Sequence, residues 1–443
     1  MAQVSNEREW YPSLFEEFER SLNGQSETPL HDIRRKAIHW FSQNGFPNTR
    51  QEEWRFTDVS PIAKATFKTV DETRVKHVGL DRIRPFLIDE QFVRLVFVNG
   101  CFDLDLSSTE HLPDGVTVQP LKDALQRETK IIQGHLAKHA KLDENGFVAL
   151  NTAFIKDGAY IHVAKGAIVE EPIHVVFVSN SSGDEFVTHP RNLIVVEENA
   201  QVSFIESYVT LNTDAYFTNP VTEVSLGENA NVNHYKIQRE SENAFHTALI
   251  QVQQARSSVY TSHNYSFGGR IARNDLNGVL DGEGIECFLN GLYLANGKQL
   301  IDNHSVLDHA QSHCHSNELY KGILDDKARA VFSGKIHVRQ DAQKTDAIQS
   351  NQNLILSEDA TVDTKPQLEI FADDVRCTHG GTVGQIDQDG VFYLRTRGIS
   401  ETAARHLMIR AFAGQVTDLI KHDAIHDYID ALVVDRLKGG HLQ

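Results

Sequence analysis

The chain has only four cysteines in 443 residues, Cys101, Cys287, Cys314 and Cys377. Their spacing is irregular and no C-x-x-C pair occurs, so neither a disulfide framework nor a preformed zinc site is signalled. Reduced thiols in a cytosolic setting are the simplest expectation. Basic residues are scarce as well. Lysine and arginine total 43 against 61 acids, a formal charge of -18, and no basic run is dense enough to seat a phosphate backbone or an anionic bilayer. Nucleic acid and membrane are therefore not expected partners. No stretch approaches the roughly 18 consecutive apolar residues of a membrane-spanning helix. The start, "MAQVSNEREWYPSLFEEF", shows neither a secretory nor a transit-peptide pattern. The expectation is a soluble, cytoplasmic protein.

Familiar catalytic signatures are missing too. There is no G-x-S-x-G elbow, H-E-x-x-H helix or G-x-G-x-x-G turn. "GLYLANGKQ" (291 to 299) departs from a phosphate loop in three ways: five residues separate Gly291 from Gly297, Gln299 stands where Ser or Thr is needed, and no helical pattern follows. A strand, a turn and a second strand is the reading it supports.

What is present divides into three parts. Residues 1–145 read as mostly helical. In "PLHDIRRKAIHWFSQNGFP" the residues Ile33, Ala37, Trp40 and Phe41 share a helix face, and Asn44-Gly45 before Pro47 is a stop signal. "WYPSLFEEFERSLNG" suggests a shorter helix. Between 80 and 140 a strand-like "RLVFVNGCF" precedes a helical "LKDALQRETKIIQGHLAKHA".

From about residue 146 helical periods give way to short alternating runs such as "HVVFVSN" and "ALIQVQQ", so 146–390 is expected to be a β core. A weak repeat runs through it: "VAKGAIV" (163 to 169), "VEENAQV" (196 to 202), "LGENANV" (226 to 232) and "LSEDATV" (356 to 362). The first two intervals, 33 and 30 residues, fit stacked units that bury their apolar faces against neighbours, with the alanine at a crowded corner. A parallel β-helix explains this spacing better than a sandwich. Helical spacing returns in 391–443, with Ser400 as N-cap and Leu407, Ala411, Val416, Leu419, Ile420, Ile425, Ile429, Leu432 and Val433 as its apolar positions.

Two stretches could carry chemistry. "LIDNHSVLDHAQSHCHSNELYKG" gathers His304, His309, His313, Cys314 and His315. On a strand, His313 and His315 would share a face opposite Cys314, an arrangement able to hold a metal or simply to populate an exposed face. In "DDVRCTHGGTVGQID" a strand would put Cys377 and His379 on one side, as a ligand pair or as a packed cysteine beside a strand-end histidine. Asp373 and Asp374 would point to opposite faces, which denies them joint acid–base work.

That last stretch, continued as "GVFYLRTRGIS", resembles the SufB/SufD family of iron-sulfur cluster assembly proteins. So do the upstream "FSGKIHVRQDAQKTDAIQSNQNLILSEDATVDTKPQLEIFA" and "HSNELYKGIL". "RRKAIHWFSQNGFPNTRQEEWRFTD" looks like the SufD branch. The resemblance spans nearly the whole chain. It implies a right-handed parallel β-helix between helical domains and a non-catalytic scaffold that supports cluster assembly and iron acquisition. It further implies pairing with a SufB-like chain through the β-helices, and an ABC-type ATPase, SufC, bound through the C-terminal helical domain. The family's interface histidine maps onto His379, with Cys377 close beside it. The isolated chain is expected to hold no cofactor and to be able to form a homodimer, with a transient iron-sulfur cluster in the complex. A flavin is associated with such complexes, although nothing in this sequence reads as a flavin site. SufB-like chains carry a cysteine in the strand that here reads "DAIQSNQNLIL", and this chain has none between Cys314 and Cys377. Two rival readings stand beside this one: a β-helix polysaccharide lyase or hydrolase, and a stand-alone metalloprotein using His304 to His315.

Overall fold

The computed structural model describes residues 5–438, apart from 23–27, 71–76, 111, 128, 182 and 184. Its centre is a parallel β-solenoid in which each coil gives one strand to each of two facing sheets, of 12 and 10 strands. The repeat seen in the sequence is the coil itself. Val163, Val196 and Leu226 are successive ladder partners, and so are Val202 and Val232, so the intervals of the repeat are the register of the sheets. Gly166, Asn199 and Asn229 take positive φ (73°, 59° and 56°) immediately before the alanine, the conformation that glycine and asparagine tolerate best. Ala200 and Ala230 are fully buried behind them. The fourth copy belongs elsewhere: residues 356–362 join Asp346–Ile355 of the second sheet to Thr361–Ile370 of the first, the opposite edge of the solenoid.

Helices cover both outer faces. Pro29–Asn44 is capped by Thr28 and stopped at Gly45, and it buries Ala37, Ile38 and Phe41, with Ile33 and Trp40 half-buried at the margin. The preceding helix, Ser5–Ser21, is longer than its pattern suggested and contains Pro12. Together with Phe147 and Phe154 these helices pack on Val187, Phe217, Phe245 and Ile271 of the first sheet. The stretch "QEEWRFTD" pins this layer down. Arg273 stacks 3.6 Å over Trp54 and bonds the Glu53 carbonyl, while Thr57 donates to Asp302 at 2.5 Å. At the other end Gln388–Thr396, Glu401–Thr417 (N-cap Ser400) and Asp423–Lys438 lay Ile409, Ala413, Val416, Ile425 and Ile429 on Tyr235, Tyr265, Leu292 and Leu294 of the second sheet.

The β core does not open at residue 146. Gly146–Ala153 is a helix whose eight residues are all buried, and the first coil begins with Ala159–Val163. A helix buried all round has no polar face and so no amphipathic period to betray it. The N-terminal part is also less helical than it reads, because Arg94–Val98 and Val116–Pro120 extend the two sheets.

Inside the solenoid, tyrosines and glycines interlock between coils. Gly291 is opposite Tyr320 and Tyr293 opposite Gly322 in one ladder. A Cβ at Gly291 would lie 2.2 Å from the Tyr320 ring, and one at Gly322 would lie 2.2 Å from the Tyr293 ring. Gly291→Ala and Gly322→Ala are therefore each expected to cost about 1–3 kcal/mol through overpacking, seen as a lower midpoint of chemical unfolding. An unchanged midpoint would show that the rings can step aside.

Candidate functional site

The last coil consists of Thr361–Ile370 and Arg376–Gly384, and each strand is paired on one side only. Strand alternation sets what faces the lumen. Cys377 lies opposite Ala347, in a ladder that continues through Ser316 and Cys287, all three buried, so Cys377 continues an inward column. Two residues on, His379 lies opposite buried Gln349 and above Glu318 in the next inward column. Cys377 and His379 thus share the inward side of a strand whose outer edge no other described residue of this chain pairs with. Cys377 is half-buried against Ile336, Val338, Ala342 and Ala372, and burial, helped by Asp346, raises its thiol above the usual value. The His379 side chain is exposed. Asp373 and Asp374 are not on a strand: they form the bend before it, where Asp374 pairs with Lys344. Positive φ at Lys344 turns the neighbouring corner toward this bend.

The structure disperses the histidine-rich stretch. His313 and Cys314 are corner residues, and the strand starts at His315, so the shared-face arrangement of His313 and His315 does not exist. Cys314 is buried and bonded to the Gly282 carbonyl at 3.2 Å. His309 turns inward to Ser316 at 3.0 Å, and His315 sits outside against Phe288. His304 faces outward beneath the N-terminal layer, 2.9 Å from Asp302 and 3.6 Å from Glu53. Among the described residues no group of three or more His, Cys, Asp or Glu side chains is placed to hold a metal. "GLYLANGKQ" is the end of Glu286–Ala295 and a turn, with Gly297 at φ 61°, that leads into the strand Leu300–His309, with no helix to present phosphate-binding amides.

Sequence reasoning missed the polar interior. Glu240 meets His246 at 2.7 Å, His246 meets Lys236 at 2.8 Å, and Lys236 bonds Asn274, all of them buried. Asn274 reaches Asn303 at 3.2 Å. Burial lowers the Lys236 ammonium to about 8. Nearer the open coil, Gln349 Nε2 donates to Glu318 Oε2 at 2.7 Å, Ser305 faces the same carboxyl, and burial pushes Glu318 up to about 7. The inward positions of these strands are often polar themselves, as at Gln349, Asn351 and Asn353, while Ile348 on the other face is exposed, so hydropathy alternation does not mark which side chains line the lumen. The one usable signal was the share of Asn, Gln, His and Glu in strands otherwise rich in Leu, Ile and Val.

The molecule is thus a β-solenoid whose last coil is left unpaired on one side among the described residues, with a cysteine–histidine pair on the inward side of that coil. Residues 177–412 match the SufBD core domain of the SUF system for iron-sulfur cluster assembly, and residues 5–175 match the SufBD N-terminal region. The chain is 37% identical over 411 residues to an iron-sulfur cluster assembly SufBD family protein of Synechocystis, covering 90% of this chain and 89% of that one. It is 30% identical to the iron-sulfur cluster assembly protein SufD of Escherichia coli, with 98% of each chain covered, and 25% identical to SufD of Bacillus subtilis, covering 96% and 98%. The chain belongs to the SufB/SufD family of iron-sulfur cluster assembly proteins and is most like SufD. No helix among the described residues is long and apolar enough to cross a membrane.

The buried Glu318 carboxyl gives a pH signature. Its value is raised in the fold, so its stabilising contribution is complete below the ordinary value of 4.5 and is lost as pH rises through about 7. Glu318→Gln, neutral throughout, lacks this dependence. Unfolding curves of the two proteins should diverge between pH 4.5 and 7, with the wild type losing roughly 3 kcal/mol relative to the variant. Parallel curves would mean that the carboxyl does not change charge in this range.

Proposed function

We propose that this chain is the scaffold subunit of a SufBCD-type complex. In this reading it does no catalysis itself, pairs end to end with a SufB-like chain through its last coil, and carries a SufC-like ABC ATPase on its C-terminal helices. The iron-sulfur cluster is cargo, built transiently where His379 and Cys377 meet residues of the SufB-like chain. The observation that carries this is the bare last coil, whose backbone edges and exposed Ile370, Phe371 and Val383 await a partner sheet. Without a SufB-like chain the same edge favours a homodimer. The absence of a cysteine from Asp346–Ile355 accords with a subunit that completes a shared site instead of accepting sulfur alone.

A second surface supports the ATPase role. Val391, Ile409 and Ala413 are buried toward the second sheet, whereas Phe392 (66%), Tyr393 (57%) and Leu407 (45%) are exposed on the same two helices. Exposed aromatics of this kind dominate interface energy when a partner covers them.

Two variants test the reading in co-purification with SufB-like and SufC-like proteins. Phe392→Ala/Tyr393→Ala should weaken ATPase retention about tenfold or more while leaving the SufB-like chain bound; unchanged retention would sink the docking claim. His379→Ala should leave the three-protein assembly intact and lower its iron and sulfide content. A full cluster complement in that variant would remove His379 from the site.

A further inference from the structure

His379 has a built support beneath it. Gln349, one strand down the ladder and about 4.8 Å away along the sheet, is 1% exposed. Its amide nitrogen is committed to Glu318, which leaves the amide oxygen buried without a hydrogen-bond partner. The Glu318 carboxyl is itself wholly buried and faces Ser305. On the opposite wall of the lumen, Gly334 makes room for this amide, since a Cβ there would lie 2.2 Å from Gln349 Nε2. Above the amide, the His379 imidazole has no hydrogen-bond or ion-pair partner among the described residues. A fixed acceptor without a donor therefore lies in register with a donor without an acceptor, on the same inward face.

We propose that Gln349, held in one orientation by Glu318, is the positioning residue for His379. Its amide oxygen accepts a hydrogen bond from one imidazole nitrogen and leaves the other bare toward the open end of the solenoid. A histidine that serves as a ligand or proton carrier must present a defined nitrogen, and the hydrogen bond made by its other nitrogen sets which one. Glu318 matters because its carboxyl accepts from the amide nitrogen. That contact prevents the amide from turning over and offering His379 a donor in place of an acceptor. The proposal deepens the reading of His379 as part of a shared cluster site and rests on that reading for its purpose. It does not rest on it for its geometry.

The test uses the full-length chain, labelled with ¹⁵N-histidine, with the His379 signals identified by their loss in His379→Asn. Wild-type protein above neutral pH should show one imidazole tautomer with a solvent-protected ring N–H. Gln349→Met, similar in volume but unable to accept this bond, should lose the protected signal. Glu318→Gln, nearly identical in shape, frees the amide to adopt two orientations and should split the His379 ring signals into two sets. If Gln349→Met fails to fold, Glu318→Gln decides alone. Unchanged ring signals in the folded variants would overturn the proposal. Cluster content of the reconstituted complex separates the two ideas. Altered ring signals with a full cluster complement in both Gln349→Met and His379→Ala would refute the cluster role and leave the positioning intact. Unaltered signals with cluster loss in His379→Ala alone would do the reverse.

Discussion

Each coil of a parallel solenoid hands an edge of backbone N–H and C=O groups to the next, so the whole structure depends on how the first and last coils end. The two ends of this molecule are treated differently. At the N-terminal end Val116–Pro120 runs antiparallel to Ala159–Val163, and Cys101–Phe102 folds back antiparallel on Arg94–Val98, so short reversed strands close both sheets. At the other end no strand among the described residues closes either sheet. The chain leaves Gly384 and turns to helices that pack on the outer face of the second sheet, not over its edge. A long uncapped edge is a liability that a monomer would blunt, so leaving it bare makes sense in a protein built to be continued by another chain.

The same geometry explains why a site can form there. Side chains facing the lumen are buried in every coil but the last, where the columns that contain Ala347 and Gln349 reach Cys377 and His379 and meet solvent. The site is the interior of the solenoid brought to its surface. The lumen itself is partly polar, with Lys236, His246, Glu240, Asn274 and Asn303 linked in one network and Glu318 bonded to Gln349 in another. Unpaired buried groups of this kind are costly, so such networks tie each coil to a single register.

How much of this could be read from the sequence follows from which signals survive burial. The corner repeat was legible because positive φ and a crowded corner each restrict residue choice, hence Gly166, Asn199 and Asn229 before small residues. Its fourth copy misled, because the two edges of the solenoid use similar corner chemistry. Amphipathic helices were legible, whereas Gly146–Ala153, buried on all sides, was not. His304 to His315 looked like one cluster because nearness in sequence suggests nearness in space, yet a corner at His313 and period-two alternation send its members to different faces. Gln349 and Glu318 were invisible, since the buried side of Asp346–Ile355 carries Gln349, Asn351 and Asn353 and its outer side Ile348, the reverse of the usual apolar-in alternation.

The central claim, that the bare last coil is completed by a partner chain, is tested most directly by backbone amide hydrogen exchange. In the isolated chain at low concentration, amides of Arg376–Gly384 that do not bond to Asp346–Ile355 should exchange rapidly while Glu286–Ala295 stays protected. Adding the SufB-like partner should protect Arg376–Gly384 and leave the N-terminal strands Val116–Pro120 and Cys101–Phe102 unchanged. Protection at those N-terminal strands, with none at Arg376–Gly384, would contradict the account.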